Sequence, residues 1–139
     1  MQMENIVITG SNGFIGSHLI DLCIKKDFNI YGLDRPNSSF SKYIHHTNGI
    51  DKFLRKQKEK FLGKKIKITT NNPKLTFLEC DINNKLLTEN ILKELRPKYV
   101  FHFAAQPYII PSWEEPVNTI ETNVIETINV CDLSYIIFA

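Results

Sequence analysis

The segment Ile8-Thr9-Gly10-Ser11-Asn12-Gly13-Phe14-Ile15-Gly16 decides the fold of this chain. It joins an apolar strand pattern, residues 5–9, to a helical pattern that begins at Phe14. Glycines at every third position allow a tight turn, let a pyrophosphate approach the backbone N–H groups, and let the helix pack closely on the strand. The helix N-terminus adds N–H donors and a partial positive charge. The segment therefore predicts a bound dinucleotide, and a purely structural glycine turn is the alternative.

Apolar runs and helical patterns alternate along the chain. The sequence predicts strands at Glu4–Thr9, Phe28–Leu33, Leu75–Cys80 and Tyr99–Phe103, a fifth strand starting at Tyr135–Phe138, and helices at Phe14–Lys26, Lys85–Leu95 and Glu114–Leu133. This alternation is typical of a parallel sheet with crossover helices on both faces. We therefore predict an α/β fold, a doubly wound parallel sheet of Rossmann type with strand order 3-2-1-4-5, truncated near strand five.

Two of the predicted helices carry apolar stripes that we expect to face the core. The residues are Ile15, Leu19, Leu22 and Cys23 on the first helix, and Ile120, Val124, Ile128 and Cys131 on the last. Because Cys23, Cys80 and Cys131 are far apart in the sequence and lie in apolar surroundings, they indicate neither a disulfide framework nor a zinc site. We expect all three to be buried, reduced thiols.

The stretch from residue 40 to residue 74 gives the weakest pattern. Helical spacing favours a helix over Ile50–Leu62, with Gly63 as its C-terminal stop. Basic residues between Lys52 and Lys67 outnumber the single acid, Glu59. Such a run could bind a nucleic-acid backbone. A solvated helix face is the favoured interpretation, because few aromatic residues lie nearby and no recognition motif appears.

Length and composition indicate one ordinary globular domain. The chain has 139 residues, is 42% hydrophobic and has a net charge of +2, which gives no argument for a nucleic-acid partner. Neither a run of 18 apolar residues nor a signal-peptide pattern is present, so we expect no membrane association and a cytoplasmic location. No carboxylate or histidine cluster has the spacing of a metal site.

An acidic residue, Asp34, ends the second predicted strand, about twenty residues after the glycine turn. A carboxylate at this place accepts hydrogen bonds from a ribose 2′-OH and would repel a 2′-phosphate. The cofactor is therefore predicted to be NAD. The neighbouring Arg35 keeps NADP as the alternative, because a guanidinium could bind a 2′-phosphate.

Four motifs follow one another along the chain: Thr9-Gly10-Ser11-Asn12-Gly13-Phe14-Ile15-Gly16, Asp81-Ile82, His102-Phe103-Ala104-Ala105-Gln106 and Thr122-Asn123-Val124. Together they resemble the extended short-chain dehydrogenase/reductases, in particular the nucleotide-sugar epimerases and 4,6-dehydratases. The stretch from Val100 to Val124 is most similar to CDP-glucose and GDP-mannose 4,6-dehydratases. The resemblance covers nearly the whole chain except residues 40–74, and it does not identify the sugar nucleotide.

The resemblance implies a cofactor site. Its three glycines would hold the pyrophosphate turn, Asp34 the adenosine ribose, and Asp81 with Ile82 the adenine. Small residues after the fourth strand would line the nicotinamide-side ribose, and Asn123 would brace that strand. The cofactor-binding residues expected on this basis are Gly10, Asn12, Gly13, Phe14, Ile15, Gly16, Asp34, Arg35, Asp81, Ile82, Phe103, Ala104, Ala105, Gln106 and Asn123.

The chain also departs from the family pattern. The family's reaction uses a Tyr-x-x-x-Lys pair, and no lysine lies four residues after any of the five tyrosines, Tyr31, Tyr43, Tyr99, Tyr108 and Tyr135. No catalytic residue is therefore assigned. Without acid–base groups the family's reaction loses about 10²–10⁴-fold. Glu126 stands where the family usually has glycine.

These observations lead to one main hypothesis and two alternatives. Residues 1–139 are expected to form an incomplete NAD(P)-binding Rossmann-like domain, the N-terminal part of a nucleotide-sugar dehydratase or epimerase without its C-terminal substrate domain. The longer parent chain would bind a nucleotide sugar. A homodimer is kept as one of the assemblies that it could form. The alternatives are a non-catalytic NAD(P)-binding module and a basic nucleic-acid binder.

Overall fold

The computed structural model describes residues 3–35, 54–61, 65–70 and 72–138 of the chain. Within these ranges, six strands form one sheet in the order β3-β4-β5-β2-β1-β6. The strands are β1 (Glu4–Thr9), β2 (Phe28–Asp34), β3 (Leu54–Phe61), β4 (Lys65–Thr70), β5 (Leu75–Glu79) and β6 (Tyr99–His102).

The parallel part of the sheet has the predicted Rossmann arrangement. Within the group β5-β2-β1-β6, each adjacent pair of strands is parallel, which gives the expected order 3-2-1-4 for the predicted strands. Alternation in the sequence sets the two faces of β1, since Ile6 and Ile8 face one cluster of buried side chains and Val7 the other. The carboxyl ends of these strands therefore meet at one edge, which is where an open α/β sheet binds its ligands.

The predicted helix over Ile50–Leu62 is wrong for the residues that the structure describes. Leu54–Phe61 is β3, which pairs antiparallel with β4, and β4 pairs antiparallel with β5. Pairing with an existing sheet edge supplies hydrogen bonds for every second residue, and this overrides a weak helical spacing. The basic run is therefore not a helix face over 54–61 and 65–67, while Lys52 and Lys64 lie outside the described residues.

Five α-helices and one π-helical segment lie in the described ranges. They are α1 (Phe14–Ile24), α2 (Lys85–Leu95), α3 (Ile109–Glu114), α4 (Pro116–Ile120), the π segment (Glu121–Ile125) and α5 (Glu126–Phe138). No helix in these ranges combines the length and apolarity needed to cross a membrane.

The last helix runs through the predicted fifth strand, so that prediction is wrong. Tyr135–Phe138 forms the end of α5. A short apolar run cannot be assigned to strand or helix by periodicity alone. No glycine or proline lies between Leu133 and Tyr135 to end the helix. The predicted helix Glu114–Leu133 is also divided, because Glu115 leaves helical geometry (φ −129°, ψ 64°) before Pro116 starts the next helix.

Packing corrects the predicted face of α1. The buried residues of this helix are Gly16, Ser17, Ile20 and Cys23, whereas Ile15 and Leu22 are exposed. The close approach of Gly16 to the glycine turn sets the rotation of the helix about its axis, so Ile20 joins the core. The prediction is confirmed for Leu19 and Cys23, which pack on the core, and is wrong for Ile15 and Leu22, because hydrophobicity alone does not register this contact.

The predicted apolar stripe on the last helix does not face the core. Ile120, Val124 and Ile128 are all about half exposed, and Cys131 is also exposed, so the prediction that every cysteine is buried is wrong for Cys131. Within residues 126–134 of α5, the buried side chains are Glu126, Val130 and Leu133. Cys23 and Cys80 are buried as expected.

Candidate functional site

Gly10 is the residue at which the glycine turn meets the end of β6. Its backbone has φ +65°, a left-handed conformation that favours glycine. A Cβ added there would lie 2.7 Å from the backbone nitrogen of Ala104 and 2.7 Å from the carbonyl carbon of Phe103. The turn can therefore approach the loop after β6 only because this position has no side chain.

The other two glycines shape the start of α1. The N–H of Gly13 donates to the carbonyl oxygen of Gly10 over 2.9 Å, and the N–H of Ser17 donates to that of Gly13 over 3.0 Å. A Cβ at Gly16 would collide with the carbonyl of Gly10, whereas a Cβ at Gly13 would meet only that oxygen, at 3.1 Å. Apart from that one tight contact, the space beside Gly13 is free of nearby atoms from the described residues, and it lies at a helix N-terminus, where backbone amides attract anions.

Asp34 is fixed against this turn. Its Oδ2 accepts a hydrogen bond from the N–H of Asn12 over 2.7 Å, and its Oδ1 accepts from the N–H of Arg35 over 2.8 Å. The carboxyl end of β2 is also joined to β5, because the N–H of Cys80 donates to the Asp34 carbonyl over 2.7 Å. Each carboxylate oxygen keeps a further lone pair for a hydroxyl donor.

The residues after β5 form a turn that leads into α2. Asp81 Oδ1 accepts from the N–H of Asn83 over 3.0 Å, and the Asn84 side chain caps α2 by accepting from the N–H of Leu87 over 3.1 Å. The side chain of Ile82 is buried in the protein, with 5% of its surface exposed. Asp81 is partly exposed, so its carboxylate is the more accessible of the two predicted adenine contacts.

The loop after β6, residues 103–106, is held from two sides. The hydroxyl oxygen of Thr9 accepts hydrogen bonds from the N–H groups of Phe103 and Ala104, each over 3.2 Å. On the other side, Asn123 Oδ1 accepts from the N–H of Gln106 over 2.7 Å, and Asn123 Nδ2 donates to the Gln106 carbonyl over 3.0 Å. The side chain of Asn123 therefore binds both backbone groups of one loop residue.

His102, at the end of β6, lies between two hydroxyl groups. Its Nδ1 is 2.7 Å from the Thr9 hydroxyl oxygen, and its Nε2 is 3.1 Å from that of Thr127 on α5. Burial lowers the pKa of the His102 imidazole. The ring is therefore a neutral hydrogen-bonding group at neutral pH.

Glu126 is a buried acid at the junction of the π segment and α5. Its Oε1 accepts from Asn129 Nδ2 over 3.2 Å, and its Oε2 has no hydrogen-bond partner among the described residues. Burial raises the pKa of this carboxyl, and the charge of Asp81 adds to the increase. Glu126, at a position where the resemblance implies a glycine, therefore lies in the electrostatic neighbourhood of a predicted adenine contact.

The predicted site residues all lie at or near the carboxyl edge of the parallel strands. The structure brings the glycine turn into contact with Asp34 and with the 103–106 loop, and Asn123 into contact with Gln106. The side chains of Phe14, Ile15 and Arg35 are exposed, so Phe14 and Ile15 can offer mainly backbone groups to an anion. Among the described residues no three His, Cys, Asp or Glu side chains are grouped to hold a metal ion.

Sequence reasoning missed three residues that support this edge. Gly32 lies beneath the turn, since a Cβ there would be 2.9 Å from that of Ser11, and a glycine inside a strand is a signal of such close approach. Thr9 and Thr127 bind the two sides of His102. Thr9 begins the glycine motif, but nothing in the sequence indicates that it binds a histidine 93 positions away, and no sequence signal identifies Thr127.

The strand order and the glycine turn at the carboxyl edge place the protein in the Rossmann class of α/β folds. A sequence model of GDP-mannose 4,6-dehydratase matches residues 7–136, and the chain therefore belongs to the GDP-mannose 4,6-dehydratase family.

Similar proteins are named epimerases as well as dehydratases. A putative UDP-glucose 4-epimerase of Methanocaldococcus jannaschii is 32% identical over 129 residues, which cover 92% of this chain and 33% of that protein. The UDP-glucose 4-epimerase of Thermotoga maritima, solved with UDP-glucose, has a TM-score of 0.69 at 27% identity, over 96% of this chain and 34% of that one. The UDP-glucose 4-epimerase of Thermus thermophilus, solved with NAD, has a TM-score of 0.63 at 23% identity, over 93% of this chain and 33% of that one. The chain spans about a third of the length of the curated relatives it matches.

Proposed function

We propose that this chain binds NAD at the carboxyl edge of its parallel strands and supplies the coenzyme-binding part of a nucleotide-sugar 4,6-dehydratase or 4-epimerase. The observation that carries the proposal is the contact of Asp34 with the N–H of Asn12, at 2.7 Å. It places a carboxylate beside an open glycine turn and a helix N-terminus. This pairing suits a diphosphate next to a ribose.

The residues fit a dinucleotide in their chemistry. The pyrophosphate suits the space beside Gly13 and the first-turn amides of α1. Both oxygens of the Asp34 carboxylate can still accept hydrogen bonds from ribose hydroxyls. The Asp81 carboxylate is available to accept a hydrogen bond from the adenine amino group. Small residues at Ala104 and Ala105 leave the backbone of the loop after β6 open to the nicotinamide-side ribose.

When bound, NAD would supply the acceptor for the hydride that leaves the sugar at C4. The contribution of this chain's residues is to bind and orient the coenzyme, which can account for about 7–11 kcal/mol of a barrier when geometry is well fixed. A Tyr-x-x-x-Lys pair is not among these 139 residues. No acid–base role is therefore assigned to them, and the second candidate is a module that binds NAD(P) without turnover.

Preference for NAD over NADP follows from Asp34. Its carboxylate would lie beside the ribose 2′ position, where a phosphate would meet a negative charge. Arg35 follows directly, its side chain is exposed, and its N–H already donates to Asp34 Oδ1. The guanidinium is therefore the group that would have to bind a 2′-phosphate if NADP were the coenzyme.

The experiment is a calorimetric titration of the chain with NAD and NADP, repeated with Gly13→Val and Leu22→Ser. The valine side chain would occupy the space that the pyrophosphate needs. The backbone at Gly13 has φ −74°, which is accessible to any residue, and among the described residues the new Cβ would have one tight contact, 3.1 Å from the Gly10 carbonyl oxygen, so the fold should be retained after a small shift. Leu22→Ser changes an exposed residue of the same helix and serves as the control. We expect NAD binding by the wild type and the control only. Equal affinity in Gly13→Val would contradict the site, and absence of wild-type binding would contradict the function.

A turnover assay separates the two candidate functions. Nucleotide sugars would be incubated with NAD and the 139-residue chain, and in parallel with the product of any longer reading frame that contains it. Turnover by the longer product alone supports the dehydratase or epimerase part. Coenzyme binding by both without turnover by either supports the module.

A further inference from the structure

A chain of hydrogen bonds crosses the carboxyl edge of the sheet from β1 to the π segment. It runs from the N–H groups of Phe103 and Ala104 to the Thr9 hydroxyl, then to His102, then to Thr127. The hydroxyl of Thr127 in turn donates to the carbonyl of Asn123 over 2.9 Å, and Asn123 binds Gln106. Both ends of this series of hydrogen bonds therefore hold the same loop, residues 103–106.

The direction of these bonds fixes the protonation state of His102. Because the Thr127 hydroxyl hydrogen is used for the Asn123 carbonyl, its oxygen must accept from His102, so Nε2 carries the proton. Nδ1 is then an acceptor, and the hydroxyl of Thr9 donates to it. The Thr9 oxygen is left with two lone pairs, and the two loop amides donate to them.

We infer that His102 is a positioning residue for the coenzyme site, which holds the 103–106 loop in its binding geometry only as the neutral Nε2–H tautomer. This inference rests on the proposed function, since the loop is the part of the site assigned to the nicotinamide-side ribose. A second proton would make Nδ1 a donor. Three donors would then face the two lone pairs of the Thr9 hydroxyl, so one loop amide would lose that oxygen. Phe103 would keep the Thr9 carbonyl oxygen, 3.2 Å from its N–H, whereas Ala104 would keep no partner among the described residues.

No charged side chain among the described residues binds the His102 ring, so the expected pH dependence is assigned to the ring itself. The side chains that bind the ring from β1 and α5 are uncharged threonines. Glu4 on β1 and Lys98, just before β6, form an ion pair with each other near the opposite end of those strands. On α5, Cys131 and Asp132 are exposed, and the buried Glu126 interacts electrostatically with Asp81, Lys85 and Glu121. Glu126 is therefore the one buried acid beside Thr127 that needs its own control.

The test measures NAD affinity by calorimetry from about pH 5 to about pH 8, a range that spans the usual titration of histidine. In the wild type we expect affinity to fall by about tenfold as His102 is protonated, the size of one lost buried hydrogen bond. His102→Asn keeps an acceptor for Thr9 and cannot titrate, so it should bind NAD with a flat profile. His102→Phe should bind weakly at every pH. Glu126→Gln should keep the wild-type profile.

A second readout does not depend on NAD. In the free protein, NMR shifts of the Phe103 and Ala104 amides should follow the His102 titration in the wild type and stay constant in His102→Asn. A wild-type profile in His102→Asn, with NAD still bound, would overturn the positioning role and leave the proposed function intact. Amides that follow the titration in a protein that fails to bind NAD at any pH would instead overturn the proposed function, and with it the role of the loop in binding.

Discussion

The N–H of Asn12 donates to Oδ2 of Asp34 over 2.7 Å and so connects the glycine turn directly to the end of β2. Charge-assisted hydrogen bonds of this kind are stronger than neutral ones. The second carboxylate oxygen is held by the N–H of Arg35. The side chain is therefore oriented before any ligand arrives, and little conformational entropy remains to be lost on binding.

Replacing Asp34 by alanine should weaken NAD binding more than NADP binding. Loss of charge-assisted hydrogen bonds to the ribose should lower NAD affinity by about 10- to 100-fold, and loss of the negative charge should favour a 2′-phosphate. Calorimetric Kd values for both coenzymes test this. Asp27→Ala, which removes a surface acid paired with Lys74, is the matched control. An unchanged ratio of the two Kd values would exclude Asp34 as the ribose contact.

Alanine at Gly10 should destabilise the fold itself. A left-handed φ costs about 1–2 kcal/mol for a residue with a Cβ. The 2.7 Å contacts with Phe103 and Ala104 add the cost of overpacking, about 1–3 kcal/mol. Urea unfolding should therefore show a loss of about 2–5 kcal/mol. Gly13→Ala, at ordinary backbone angles, should lose much less, and equal losses in the two variants would contradict the described turn.

Replacing Asn123 by leucine should release the loop after β6. The change removes both hydrogen bonds to Gln106 at similar side-chain volume, with an expected loss of about 1–3 kcal/mol in unfolding free energy. Hydrogen exchange at the Gln106 amide should become faster. The exposed Asn118, whose amide contacts Glu115, provides the control variant Asn118→Leu. Protection of the Gln106 amide that survives in Asn123→Leu would show that other contacts hold the loop.

Stability should fall with rising pH because of Glu126. Its pKa is raised in the folded protein, mainly by burial, so the folded state binds its proton more tightly than the unfolded state does. This contribution to stability is fully present below the ordinary glutamate pKa and is lost as the pH rises through the raised one. Glu126→Gln should remove that part of the slope in urea unfolding between about pH 4 and pH 8. A slope identical to that of the wild type would contradict the assignment.

The parallel core of the fold could be predicted because its signals are local. The bounds of β1 and α2 match the prediction, since β1 alternates toward two cores and α2 has a cap at Asn84 and ends before Pro97. Tyr135–Phe138 could not be assigned in the same way, because a short apolar run suits either a strand or the end of a helix. β3 could not be predicted from local pattern, because it forms by pairing with β4, which itself pairs with β5.

The candidate site was predictable only in part for a related reason. Glycine spacing and a strand-end acid are visible in the sequence, so the turn and Asp34 could be expected together. The link between His102 and Thr9 joins residues separated by 93 positions, and that between His102 and Thr127 joins residues separated by 25. Such pairs become neighbours only after the sheet has assembled.

Trp113, the single tryptophan of the sequence, lies on α3 with 82% of its surface exposed. It follows the loop after β6 by only a few residues, and Gln106 is hydrogen-bonded to Tyr108 just before that helix. Its indole therefore serves as a built-in fluorophore for this side of the molecule. A blue shift in its emission would show, without any added label, that another molecular surface has covered the indole.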